Sequence, residues 1–166
     1  MRRRIVLMLL MILSLVGCRK KDIQSDISES LGIDVRKGTV LMDSDSHGGF
    51  HGDGMLFQQI SFGDSKLSDE IKDNDGWKPM PLSQNMEALV YGIEVDTSSI
   101  GPYLTDESGN TIIPDIQNGY YYFYDRHSES KDLYSDKDIL NRASFNFTLA
   151  LYDSDNHVLY YVEFDT

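Results

Sequence analysis

Hydrophobic and polar positions alternate most clearly at the end of the chain. Phe145, Phe147, Leu149 and Leu151 interleave with Ser144, Asn146, Thr148 and Ala150. Val158, Tyr160, Val162 and Phe164 repeat the pattern after Asp153-Ser154-Asp155-Asn156, a run of turn formers. A period of two on either side of a turn predicts a β-hairpin with one buried face. Gly119-Tyr120-Tyr121-Tyr122-Phe123-Tyr124 is aromatic at every position after the glycine, so it predicts a strand covered on both faces. Gly38–Met42 and Met55–Phe62 predict two more strands, antiparallel and joined by a long glycine-rich connection.

Two stretches carry helical spacing instead. Leu67 and Ile71 stand four apart among charges, which predicts a short surface helix over Ser65–Asn74. Leu82, Met86, Leu89 and Ile93 share one face of a second helix over Ser83–Tyr91, with Ser83 as its N-cap and Gly92 ending it. Between them, Gly76-Trp77-Lys78-Pro79-Met80-Pro81 excludes helix and central strand, and Trp77 is expected to pack beneath this turn. Residues 93–117 are weakly patterned, and 125–141 read as a polar loop. The sum is an α+β domain: a mainly antiparallel sheet of about five strands with two short helices on one face.

The N-terminus follows a different logic. Arg2, Arg3 and Arg4 precede an apolar run from Ile5 to Val16, broken only by Ser14. That run is too short to cross a bilayer, which takes roughly twenty residues, and it has the layout of a secretory signal. Leu15-Val16-Gly17-Cys18 resembles the lipobox of bacterial lipoproteins at all four places. The resemblance implies cleavage after Gly17 and a lipid on Cys18 that anchors the chain to the cell membrane on its extracytoplasmic face. The expected organisation is a signal peptide over 1–17, a polar tether over 18–30 and one globular domain over 31–166.

Composition narrows the partners. With 15 basic and 27 acidic residues the net charge is −12. Loss of the signal peptide removes three arginines and no acid, so the remaining chain is more acidic still. Such a surface repels nucleic acid and suits a cationic peptide or a basic protein face. It also suits plain solubility. Cys18 is the one cysteine, so no disulfide forms within the chain.

The stretch 43–54 is the densest in candidate chemistry. Asp43, Asp45, His47, His51 and Asp53 offer carboxylate and imidazole ligands, and the glycines between them let a loop close around an ion. The spacing departs from known metal motifs: Gly54 stands where a calcium loop places its bidentate Glu, and there is no His-Glu-x-x-His. His47-Gly48-Gly49-Phe50 resembles an esterase oxyanion loop, yet the chain has no Gly-x-Ser-x-Gly elbow. No cofactor is therefore required, and a metal stays open. The alternative is a glycine-rich connection whose Asp and Ser side chains bond the backbone. Asp125, Arg126 and His127, directly after the aromatic strand, could complete a site with this loop if the strands are neighbours. They could equally be an Arg–carboxylate pair that holds a loop. Tyr103, Tyr120–Tyr122, Tyr124, Tyr134, Tyr152, Tyr160 and Tyr161 are candidates for a protein interface or for sheet packing. Asp43-Ser44-Asp45-Ser46-His47 is echoed by Asp153-Ser154-Asp155-Asn156-His157, which reads as the same turn chemistry used twice.

Several segments together resemble a family of small secreted or lipid-anchored proteins of gut and soil Firmicutes. They are Gly32–Val35, Asp45–Gly54, Trp77–Leu82, Asp125–Glu129 and the ending Tyr160–Thr166. That family has no assigned activity, so the resemblance implies location and no catalytic residue. Three functions stay open: an envelope-anchored, non-enzymatic binding protein; a metal- or small-ligand-binding, even hydrolytic, protein using the 43–54 loop; and an immunity or sequestering lipoprotein for a cationic peptide or toxin.

Overall fold

The computed structural model describes residues 22–48 and 52–166. Its centre is a six-stranded, fully antiparallel sheet in the order β1-β2-β8-β7-β6-β3. The strands are β1 (Thr39–Asp45), β2 (Gly54–Ser61), β3 (Trp77–Pro79), β6 (Gly119–Asp125), β7 (Asn146–Asp153) and β8 (Val158–Asp165). A separate small hairpin pairs β4 (Ile93–Val95) with β5 (Ser98–Ile100). Among the described residues three α-helices pack on the sheet: α1 (Ile23–Leu31), α2 (Lys66–Lys72) and α3 (Gln84–Val90).

The β7–β8 hairpin forms as the alternation predicts, and it sits at the centre of the sheet. Its burial differs from expectation, because both faces are covered. Phe147, Leu149, Leu151, Tyr160 and Val162 face one core, and Ala150, Tyr152, Leu159 and Tyr161 face the other. Ala150 and Thr148 looked like an outer face because they are small or polar. Both are buried instead, Ala150 in the same core as the residues of α1 and α2. The aromatic strand β6 is covered on both faces as expected, with Tyr121 and Phe123 on one side and Tyr122 on the other.

The helices account for that second face, and they correct the expected layering. α3 brings Met86, Leu89 and Val90 to the first core, together with Leu104, Ile113 and Ile116 from the weakly patterned stretch. α2 brings Leu67 and Ile71 to the second. The two expected helices therefore lie on opposite faces. α1 joins α2 through Ile27 and Leu31, both about fully buried. Residues 23–30, expected to be tether, are thus part of the domain. Ile23, Ile27 and Leu31 recur every four residues, Asp22 caps the start by accepting from the Gln24 N–H, and Gly32 ends the helix at φ 66°. The sheet also has one strand more than the five expected, because Trp77–Pro79 pairs with β6 as an edge strand. Trp77 is buried, stacks at 5.7 Å on Tyr122 and donates its indole N–H to the Leu31 carbonyl.

β1 forms the other edge, and all seven of its residues are exposed. A bulge at Leu41 and the acids Asp43 and Asp45 blunt it against edge-to-edge pairing. The strand runs on through Asp43–Asp45, so the first three residues of the expected loop are strand. Burial at the sheet centre, against exposure at this edge, sets the expected costs of truncation. Leu149→Ala should lose about 2–5 kcal/mol in urea denaturation, whereas Leu41→Ala should stay within about 0.5 kcal/mol. Equal losses would contradict the assignment of centre and edge.

Candidate functional site

The connection between β1 and β2 is closed by Ser46. Its N–H donates to the Met55 carbonyl at 3.0 Å, and its Oγ accepts from the Met55 N–H at 2.8 Å. Gly54 passes so close to His47 that a Cβ there would lie 2.5 Å from the His47 Cα. This crowding is the local reason for a glycine.

His47 lies between two carboxylates. Its Nδ1 is 2.7 Å from Asp45 Oδ1, and its Nε2 is 3.1 Å from Asp165 Oδ2. Only an imidazolium can donate at both nitrogens. Burial of the ring opposes its charge, but the two carboxylates outweigh that and raise its pKa above the ordinary value. The His47 backbone N–H, bonded to Asp45 at 2.9 Å, and then the ring lower the pKa of Asp45. The Asp45 side chain forms an Asx turn with the His47 N–H, two positions out of register with the echo at 153–157, because Asp43, the counterpart of Asp153, lies in β1. In the second copy Asp153 Oδ1 accepts from the N–H groups of Asp155 and Asn156.

Asp165 ends β8 and receives a second cation. The Arg126 fork bonds both of its oxygens, at 3.0 and 3.1 Å, and also donates to the Phe147 carbonyl at 3.0 Å. Asp165 therefore joins His47, just past β1, to Arg126, just past β6. The two stretches singled out in the sequence do meet, through a residue that sequence reasoning did not name. The available signal was position: Asp165 continues the same-face series Leu159, Tyr161, Glu163, but nothing local marks which cation it meets.

The other candidates go elsewhere. Asp125 is buried and forms a two-pronged pair with Arg142 at 2.8 and 3.1 Å, the expected loop-holding pair with a different arginine. His127 Nε2 lies 3.1 Å from Ser144 Oγ, and its Nδ1 accepts from the Glu129 N–H, so the ring proton sits on Nε2. Asp43 accepts from the Gln58 side chain at 3.0 Å. Asp53 is exposed in the connection. His51 and Cys18 lie outside the described residues. Among the described residues no group of three or more His, Cys, Asp or Glu is placed to hold a metal ion.

The tyrosines divide. Tyr121, Tyr122, Tyr152, Tyr160 and Tyr161 are core residues, while Tyr103 and Tyr134 are exposed. Burial pushes the phenols of Tyr122 and Tyr161 up.

No known protein-family model matches the chain, and neither a curated protein nor a solved structure is similar to it.

The shared acceptor makes two measurable statements. His47→Ala and Arg126→Ala should be non-additive in stability by about 0.5–3 kcal/mol; additivity would mean that Asp165 does not couple them. The pH dependence has a definite sign. A raised His47 contributes fully below its ordinary value of 6.5 and fades as pH rises through its folded value. A lowered Asp45 contributes fully above 3.8 and fades as pH falls through its folded value. The stability difference between the natural chain and His47→Gln should therefore be widest between these limits. A difference that grows steadily into the alkaline range would contradict the charged ring.

Proposed function

We propose that this chain is an envelope-anchored bacterial lipoprotein whose folded domain binds a partner and catalyses no reaction. The observation that carries the second half is the engagement of His47, Arg126 and Asp125. His47, Arg126 and Asp125 are each engaged in an ion pair that ties strand ends and loops together. A general base must accept a proton at a nitrogen that reaches the substrate. His47 has both nitrogens on carboxylates, and Arg126 has its fork on Asp165. The lipobox Leu15-Val16-Gly17-Cys18 supports the anchor, and the likeness to small lipid-anchored proteins of Firmicutes belongs with it as part of the proposal. Helix α1, which packs Ile27 and Leu31 into the domain, starts at Ile23, only a few residues after Cys18, so the domain would stand close to the membrane.

The acidic balance favours a cationic partner over nucleic acid or an anionic lipid surface. An immunity or sequestering role toward a cationic peptide is the form of this reading that the charge favours.

Mass spectrometry of the N-terminal peptide tests the anchor. It should show a diacylglyceryl thioether on Cys18, and Cys18→Ser should accumulate as an uncleaved precursor. Normal cleavage after Gly17 in the Cys18→Ser chain, with unchanged partition into membranes, would contradict it.

A further inference from the structure

The C-terminal end of α1 opens onto a groove of about 570 Å³ on the face that carries α1 and α2. Tyr122 and Tyr134 form an aromatic wall, Glu29 and Asp75 stand at the rim, and Gly32 and Gly76 form the backbone floor. We propose that this groove binds an organic cation, an alkylammonium or guanidinium group. The proposal rests on reading the domain as a binding protein and supplies the chemistry of what it binds.

Three independent features agree on the sign of the ligand. The first is the lining: every ionisable side chain in it is a carboxylate or a phenol. Lys78 lies outside the lining, its Nζ held behind the wall by a hydrogen bond to the Tyr134 carbonyl at 2.9 Å. The second is the helix end. α1 points the negative end of its dipole here, where a lysine or arginine is the stabilising choice. Its last turn holds no basic residue and carries Glu29 instead. An acid at the wrong end of a helix costs stability, and a bound cation removes that cost. The third is the ring pair. Tyr134 is 48% exposed, and its ring meets Tyr122 at 6.1 Å and Tyr124 at 5.3 Å, both edge-to-face. Aromatic faces attract cations, and they prefer large, weakly hydrated ones.

The wall is held in place before anything binds. The loop before Tyr134 is pinned by the Leu133 carbonyl, which accepts from the Asp125 N–H at 2.7 Å, and by Asp132, which accepts from the Tyr134 N–H. Gly76 has no side chain where a Cβ would press on the Tyr122 ring at 3.1 Å. Asn74 closes the floor by donating to the carbonyls of Leu31 and Gly32. Two exposed carboxylates make a poor cage for a hard metal ion, which needs more oxygen ligands. They suit a cation that the rings hold from the side.

The experiment is an NMR titration of the full mature chain in detergent micelles with tetramethylammonium chloride, then with N-acetyl-arginine amide, against sodium chloride at equal ionic strength. Saturable shifts of the Gly32 and Gly76 amides and of the Tyr134 ring are expected with the organic cations only. Tyr134→Leu should weaken binding about tenfold. Glu29→Gln combined with Asp75→Asn should weaken it about threefold while the melting temperature stays level or rises, which a purely structural role for Glu29 would not produce. Linear shifts matched by sodium chloride, or affinity unchanged in Tyr134→Leu, would overturn the site. A dipeptide of two arginines that binds more than about tenfold tighter than the amide identifies a polypeptide side chain as the source, and equal affinity identifies a free amine. A failed titration removes this groove and leaves the anchored binding protein to its own test on Cys18.

Discussion

Two-sided burial of the β7–β8 hairpin is the constraint on which the rest of this structure depends. A hairpin with one apolar face would need one covering layer. Here Phe147, Leu149 and Leu151 require cover on one side, and Ala150, Tyr152 and Tyr161 on the other. That demand recruits α3 and the 93–117 stretch to one face, and α1 and α2 to the opposite one. It also explains why α1, expected to be tether, is part of the domain. Without Ile27 and Leu31, the second face would be open over Tyr161 and Ile60.

Charge then works at the margins of this core. Sheet edges and strand ends are where backbone pairing stops, and Asp165 holds three such ends together. Its pairs with His47 and Arg126 are only partly screened, because the Asp165 side chain is 19% exposed. The Asp125–Arg142 pair, more deeply buried, ties the loop after β6 to the start of the hairpin. His47, Asp125 and Arg126, which resemble a site by type, thus join elements distant in sequence. The Tyr122–Tyr134 groove is different: its aromatic wall is braced by hydrogen bonds, while its acids are left facing outward.

Much of the fold was legible in the sequence, and the reasons for the rest are physical. Strong period-two alternation marked β7 and β8, and aromatic density marked β6. Helix α3 was legible from Ser83 and the spacing of Met86 and Leu89; Ser83 does accept from the Met86 N–H. The layering was not, because a short helix shows that it has an apolar face but not which face of the sheet takes it. α1 was read as tether because its three apolar residues are diluted by Gln24, Ser25, Asp26 and Ser28. For the candidate site, residue types pointed to the right neighbourhood, 43–54 with 125–127. They could not reveal Asp165 or Arg142, since an ion pair across 39 or 17 residues leaves no local pattern. Nor did any local pattern mark the groove, whose walls come from four separate segments.

The most direct test of the account is the protonation of His47. In nitrogen-15 NMR at mildly acidic to neutral pH, both of its ring nitrogens should carry protons, with the charge persisting above the ordinary value of 6.5. Asp165→Asn should bring that titration down. A neutral His47 ring at pH 6, or one whose nitrogen signal moves on adding a stoichiometric divalent metal, would contradict the central claim that this histidine is a structural cation.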